Sequence, residues 1–212
     1  METAPTTPPA LPLADPTALG LIGLAVGCAA LTPVAFGLSL TPAALNTAAI
    51  FCLLFGGGAQ LLAGLGNFVN RNTYGATLFT AFAFNWGVNW WALRTVAVGE
   101  MPDHGVLLAV DICFLMIFLV MTYGFGLFGK LLFLLLLDID LMYVCKVVAG
   151  ITGTTALGLP IAILTVLLGL IALWIVFALL INPVVGRAVF PLGGPVFRVR
   201  QPGGPSASPP AG

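Results

Sequence analysis

Charge is what this chain has least of. Only 7% of its 212 residues are Asp, Glu, Lys or Arg, against about 25% in an ordinary soluble domain. Basic and acidic residues balance at seven each, so no positive stripe exists to neutralise phosphates, which argues against a nucleic-acid partner. Histidine occurs once, at His104 in a Pro-Asp-His-Gly stretch. With no HExxH, Ser-His-Asp set, metal cluster or phosphate loop, an enzyme is not expected, nor is a cofactor or metal. Cys28, Cys52, Cys113 and Cys145 form no CxxC pair and lie inside apolar segments, where cysteine acts as a small buried hydrophobe. The N-terminus lacks the basic region of a cleaved signal peptide.

Hydrophobic residues are abundant, at 60% of the chain with mean hydropathy +1.13. They fall in runs too long for buried core helices, and a bilayer-spanning helix needs ~20 residues. Apolar and polar residues do not alternate regularly, which favours helices over a transmembrane barrel. The expected fold is therefore an all-α integral membrane protein with six transmembrane helices per protomer. The spans are Leu19–Leu40, Ala43–Phe68, Tyr74–Val98, Val106–Phe128, Leu131–Ile151 and Leu157–Ile181. Pro42, Pro102, Pro160 and Pro183 mark their breaks. Residues 1–15 read as a disordered tail, 16–185 as the membrane domain and 186–212 as a Gly-, Pro- and Ser-rich tail. Six spans put both termini on one side, which collects Arg71, Lys130, Arg187, Arg198 and Arg200 against Arg94 opposite. That bias predicts cytoplasmic termini, in a multi-pass protein of the plasma membrane.

The region from Phe51 to Trp91 organises the rest. Gly56, Gly57, Gly58, Ala63, Gly64 and Gly66 let helix backbones approach closely, and Gln60 sits among them. A mid-bilayer amide needs partners, either as interhelical glue or on a solute pathway. Phe82, Asn85, Trp86 and Asn89 recur at helical spacings and share a face. Ring edges and amide hydrogens suit a small carboxylate that must also leave again, although the aromatics could equally just pack. Asn72 or Thr73 reads as a helix cap at an anion-favouring N-terminus, and Asp15-Pro16 as another helix start.

These motifs resemble the acetate uptake transporter family, also called the succinate–acetate permease family. FGGGAQLLAGL is similar to the family's glycine–glutamine run through Gly56 or Gly57, Gly58, Gln60 and Gly64. RNTYGATLFTAFAFNW is similar to its next motif through Asn72, Thr73, Tyr74, Gly75, Thr77, Phe79, Thr80 and Trp86. DPTALGL preserves Pro16, Leu19, Gly20 and Leu21 of the opening motif, and GRAVFPLG, residues 186–193, resembles the closing one. The resemblance implies that acetate or another small carboxylate, succinate among them, passes through a pore in each protomer. It implies aromatic constrictions, either channel-like or proton-coupled passage, and a homo-oligomer, the hexamer. Gln60, Asn72, Thr73, Tyr74, Thr77, Phe79, Phe82, Asn85, Trp86 and Asn89 are the expected pore residues, and Asp15, Pro16, Leu19 and Gly20 the mouth. Departures stand at Asp15 for Asn, Ala18 for Pro, Arg71 for Gly, and Ala81-Phe82-Ala83 for Ser-Tyr-Gly.

The resemblance does not account for Asp111, Asp138, Asp140 and Lys146. Charges inside a bilayer cost ~3 kcal/mol each on insertion scales, so they rarely sit there idle. Asp138 and Lys146 lie eight residues apart on similar azimuths, out of direct reach. Lys146 is therefore expected to meet a carboxylate on another helix, Asp111 first. An ion pair, a proton relay and subunit contacts all remain open. His104 is expected in a solvated loop, with pH sensing as the sharper alternative. The rival functions are a structural or scaffolding membrane protein that conducts nothing, and a channel for a small neutral solute such as ammonia.

Overall fold

The computed structural model describes residues 14–198, and the expected tails fall largely outside them, as does Arg200. Among the described residues there are helices and no strand. Six rods follow one another: α1 (Thr17–Ala35), α2 (Pro42–Val69), α3 (Thr73–Ala97), α4 (His104–Phe125), α5 (Lys130–Thr152) and α6 (Gly158–Val185). Four of them, α1, α2, α4 and α6, are long and apolar enough to cross a membrane. The other two are as long, at 25 and 23 residues, but α3 is diluted by Asn, Thr and Gly, and α5 carries Lys130, Asp138, Asp140 and Lys146. The outer surface is apolar: Leu54, Leu62, Phe84, Val120 and Leu170 are all more than half exposed. A surface of that kind matches hydrocarbon rather than water. The chain is a multi-pass membrane protein.

Helix ends differ from the sequence reading where backbone geometry overrides hydropathy. The first rod stops at Ala35, five residues before Leu40, because Gly37 turns into the left-handed region at φ +69°. Its amide donates to the Val34 carbonyl at 2.9 Å and that of Leu38 to Pro33, a C-terminal closure that glycine favours. The last rod, conversely, runs through Pro183 to Val185, and Gly186 at φ +70° ends it. His104 is the first residue of α4 rather than a loop residue, because the Asp103 carboxylate accepts from the Val106 amide at 2.8 Å and starts the helix there.

Hydropathy gave no sign of a stretch of π-helix, Cys52–Ala59, in the middle of α2. Such wide turns are rare and concentrate at functional sites. Here they cover the three consecutive glycines, and the Trp86 ring lies directly on Gly56.

Around this point the rods close on one another. α2 packs on α3, α1 on α2 and α6, and α5 on α4 and α6. Small residues set the distances. A Cβ on Gly64 would stand 3.0 Å from the Thr80 backbone nitrogen, and one on Gly23 would run into the Phe55 carbonyl. The α3 backbone stays apart from α4 and α5 and meets them through side chains: Phe82 stacks on Phe118 with centroids 4.7 Å apart, and Asn85 Nδ2 donates to the Tyr143 hydroxyl at 3.0 Å. The space left between α1, α3, α5 and α6 holds the site.

Between α2 and α3, Arg71 takes φ +57°, a conformation that costs a non-glycine residue ~1 kcal/mol or more. This is the position where the resembled family has glycine. Arg71→Gly is expected to raise thermal stability by about 1 kcal/mol, read as a higher melting temperature in detergent; a lower one would show that the side chain makes a compensating contact.

Candidate functional site

The chain's end with the α2–α3 and α4–α5 turns is the near end, and that with the α3–α4 and α5–α6 loops the far end. At the near end a cavity of about 370 Å³ is lined by Asp15, Thr17, Asn72, Tyr74, Phe79, Leu192 and others. A hydrogen-bond chain builds one wall. Asn67, fully buried, donates to the Ala63 carbonyl at 2.9 Å and accepts from Asn72 Nδ2 at 2.7 Å; Asn72 Oδ1 then caps α3 by accepting from the Gly75 amide at 3.1 Å. Asp15 Oδ1 accepts from the Thr17 amide at 2.9 Å and holds the start of α1 at the rim.

The segment after α6 completes the near cavity. Asn182 clamps Phe190 from both sides, donating to its carbonyl at 2.8 Å and accepting from its amide at 3.0 Å. The Trp174 indole donates to the Pro191 carbonyl, the Leu131 amide to Leu192, and the Val196 and Phe197 amides to the Gly126 carbonyl. This strap brings Leu192 and Gly193 into the wall. The sequence treated the stretch as tail, because no hydrophobic period marks it.

At the far end a second cavity, about 270 Å³, is lined by Leu24, Cys28, Phe82, Asn85, Trp86, Asn89, Tyr143, Lys146, Thr165 and Leu168. The two linings share no residue yet both draw on α1, α3, α5 and α6, the near one taking Phe125 of α4 as well. On α6, Leu168 and Ile175 belong to opposite cavities, separated by ~10 Å of helix rise; on α3 the step from Phe79 to Phe82 is ~5 Å. Leu21, Leu135, Leu136 and Ala172, whose positions along their helices lie between the two linings, are buried in one hydrophobic cluster. The site is thus two opposed vestibules on one axis with an apolar plug.

Of the residues expected from the sequence, Phe82, Asn85, Trp86 and Asn89 meet in the far vestibule, and Asp15, Asn72, Tyr74 and Phe79 in the near one. Pro16 heads α1 and packs against Gly66, and Gly20 is buried under the Phe79 ring. Thr73, Thr77 and Leu19 are exposed on the outside and reach neither cavity. Gln60 is 1% exposed, at the helix contact rather than in either lining, and its Oε1 has no protein partner. Sequence reasoning passed over Asn67 and Tyr143. Tyr143 was signalled only by standing three residues before Lys146, on the same face.

The far vestibule is rich in donors. Its lining contains Lys146 and no carboxylate. The buried Trp86 indole Nε1 has no protein acceptor, and Tyr143, whose oxygen accepts from Asn85, keeps its own proton to give. Lys146 Nζ donates to Asp111 Oδ1 at 2.7 Å across the α4–α5 contact and stands 4.6 Å from the centre of the Tyr143 ring. Deeper in α5, the Thr122 hydroxyl donates to Asp140 Oδ2 at 2.6 Å. Asp138 is buried with no cation on it, and one oxygen of each of these two carboxylates lacks a partner. Donors with one cation, arranged around a small cavity, can strip part of the water from an anion and replace it.

These features define a helical membrane protein with a vestibule at each end of its axis. No family model matches the chain. It is 26% identical over 189 residues to the succinate-acetate/proton symporter SatP of Escherichia coli (strain K12), a match that covers 85% of this chain and 96% of that protein. The proteins of the same name from Escherichia coli O157:H7 and Shigella flexneri match equally. The solved structure of the bacterial acetate channel SatP superposes with a TM-score of 0.76 at 24% identity, over 85% of this chain and 99% of that one. The chain is thus similar in sequence to these symporters and shares the fold of that channel.

Proposed function

We propose that this chain is itself an acetate uptake transporter, carrying acetate and related short carboxylates, succinate among them, across the cell membrane through each protomer. All six rods span the bilayer in this reading, with both termini cytoplasmic and the near vestibule facing the cytoplasm. The protomers associate as the resemblance implies, in a hexamer. One observation carries the proposal: a far vestibule of about 270 Å³, lined by Asn85, Trp86, Asn89, Tyr143 and Lys146 and free of carboxylates. Its size suits a solute of a few heavy atoms, and its donors suit a negative one. A scaffold has no use for such a cavity, and ammonia has no need of a lysine. Gln60 and Asn67 contribute as buried braces of the helices that bear the walls.

Passage coupled to protons is favoured over a plain channel by Asp138 and Asp140, buried in the bundle without a neutralising cation. Ionisable groups inside a bilayer mark proton pathways, and these two, with Thr122 donating to Asp140 and no ammonium beside either, are the candidates to carry the coupled proton.

Labelled acetate flux into proteoliposomes, with and without an inward proton gradient, tests both statements. Wild type is expected to carry acetate faster when the gradient is imposed. Asp140→Asn and Asp138→Asn are expected to keep flux but lose the stimulation. Absence of flux from well-assembled wild type would defeat the transport reading; stimulation that survives both substitutions would defeat only the coupling.

A further inference from the structure

The far vestibule opens into a shallower bowl of about 440 Å³, lined by His104, Leu108, Asp111, Ala149, Gly153 and their neighbours. Lys146 and Ile161 are the residues common to both linings, so the ammonium stands in the neck between them. Asp111 belongs to the bowl alone. The ion pair therefore straddles the passage, with the carboxylate on the outer side and the polar groups of Asn85 and Tyr143 on the inner side.

We propose that Lys146 is the anion-selecting residue of this chain, and that Asp111 occupies its ammonium until a solute carboxylate takes that place. The proposal rests on the transport reading and deepens it. An ammonium has three hydrogens to give; Asp111 Oδ1 takes one at 2.7 Å, and the Tyr143 ring covers one side at 4.6 Å. The side chain is 36% exposed and its partner 18%, so the pair is partly solvated, and such pairs are weak. A solute carboxylate has the same charge and geometry as Asp111, so replacing one by the other leaves the ammonium satisfied throughout. Among the described residues, no other cation lines the far vestibule. Lys146 is thus the charge that separates carboxylates from neutral solutes of similar size. The flexible four-carbon stem lets the ammonium swing inward with the anion toward Tyr143 and Asn85.

The test is the concentration dependence of labelled acetate uptake in proteoliposomes for wild type, Lys146→Gln, Asp111→Asn and the double variant, each checked for monodispersity. Lys146→Gln is expected to raise KM about tenfold, because a charge-assisted hydrogen bond is lost. Asp111→Asn is expected to lower KM about threefold by removing the competitor, and the double variant to follow Lys146→Gln. A brace that merely holds α4 to α5 predicts the opposite pattern: both single variants lose melting temperature, KM stays put or shifts the same way in both, and the double variant recovers. That pattern would overturn the proposal while leaving transport intact. Should Lys146→Gln fail to assemble, Asp111→Asn decides alone, since an unchanged or raised KM contradicts the displaced-partner role. Wild type without flux would instead defeat the underlying reading.

Discussion

Gly23→Leu is expected to abolish a properly assembled bundle, whereas Gly87→Ala is expected to be nearly silent. A Cβ at position 23 would collide with the Phe55 carbonyl and stand 2.9 Å from the Ala59 Cβ, whereas at position 87 it meets nothing within 4 Å. The obstacle at Gly23 is backbone, which has no alternative rotamer. The whole of α1 would therefore have to move off the π-helical stretch of α2, and α1 also carries Leu24 and Cys28 of the far vestibule. Overpacking a tight core costs about 1–3 kcal/mol and sometimes more; against immovable backbone, about 3 kcal/mol is expected as a floor. Size-exclusion profiles and melting curves in detergent check this. A monodisperse Gly23→Leu protein with an unchanged melting temperature would mean that α1 and α2 are not held by close backbone approach.

Phe82→Ala should have the largest effect on passage. The Phe82 ring stacks on Phe118 at an interplanar angle of 15° and forms the floor of the far vestibule, one helical turn from Phe79 in the near one. Removing it thins the apolar plug at its narrowest interval. Acetate flux per folded protomer is expected to rise about tenfold, equivalent to lowering the barrier by about 1.4 kcal/mol, and bulkier carboxylates should begin to pass. Loss of a buried ring will also destabilise the fold, by about 3–5 kcal/mol on the scale of soluble cores, so flux must be normalised to intact protein. Unchanged flux and unchanged size selectivity would place the limiting step elsewhere along the axis.

Much of this architecture could be read from residue order, because bilayer insertion makes hydropathy and helical period decisive. The stripe Phe82, Asn85, Trp86, Asn89 was legible for that reason; spacings of three and four determine a shared face before any packing is known. The partner of Lys146 was legible by a related argument, since an ammonium within an apolar segment, eight residues from Asp138, had to look to another helix, and Asp111 is there at 2.7 Å. What escaped depended on through-space contacts. Gln60 is polar and mid-span, yet it faces a helix contact rather than a cavity, and nothing local distinguishes those two fates. Thr77 sits one residue before buried Leu78 but on the outer face, where a motif match gives no azimuth. The π-helical turns need the Trp86 ring on Gly56, a contact between residues thirty apart. Two of the six rods are less apolar than the rest for a physical reason: α3 and α5 supply polar groups of the far vestibule, and these lower their mean hydropathy.

The strap held by Asn182 and Gly126 makes the order of synthesis matter. Membrane helices are delivered from the ribosome N-terminus first, and Leu192 and Gly193 emerge after the six described rods. Until they dock, the bundle has its six rods but an unfinished near mouth. A chain stopped before Phe190 would therefore have its six rods yet lack the strap that shapes the near cavity.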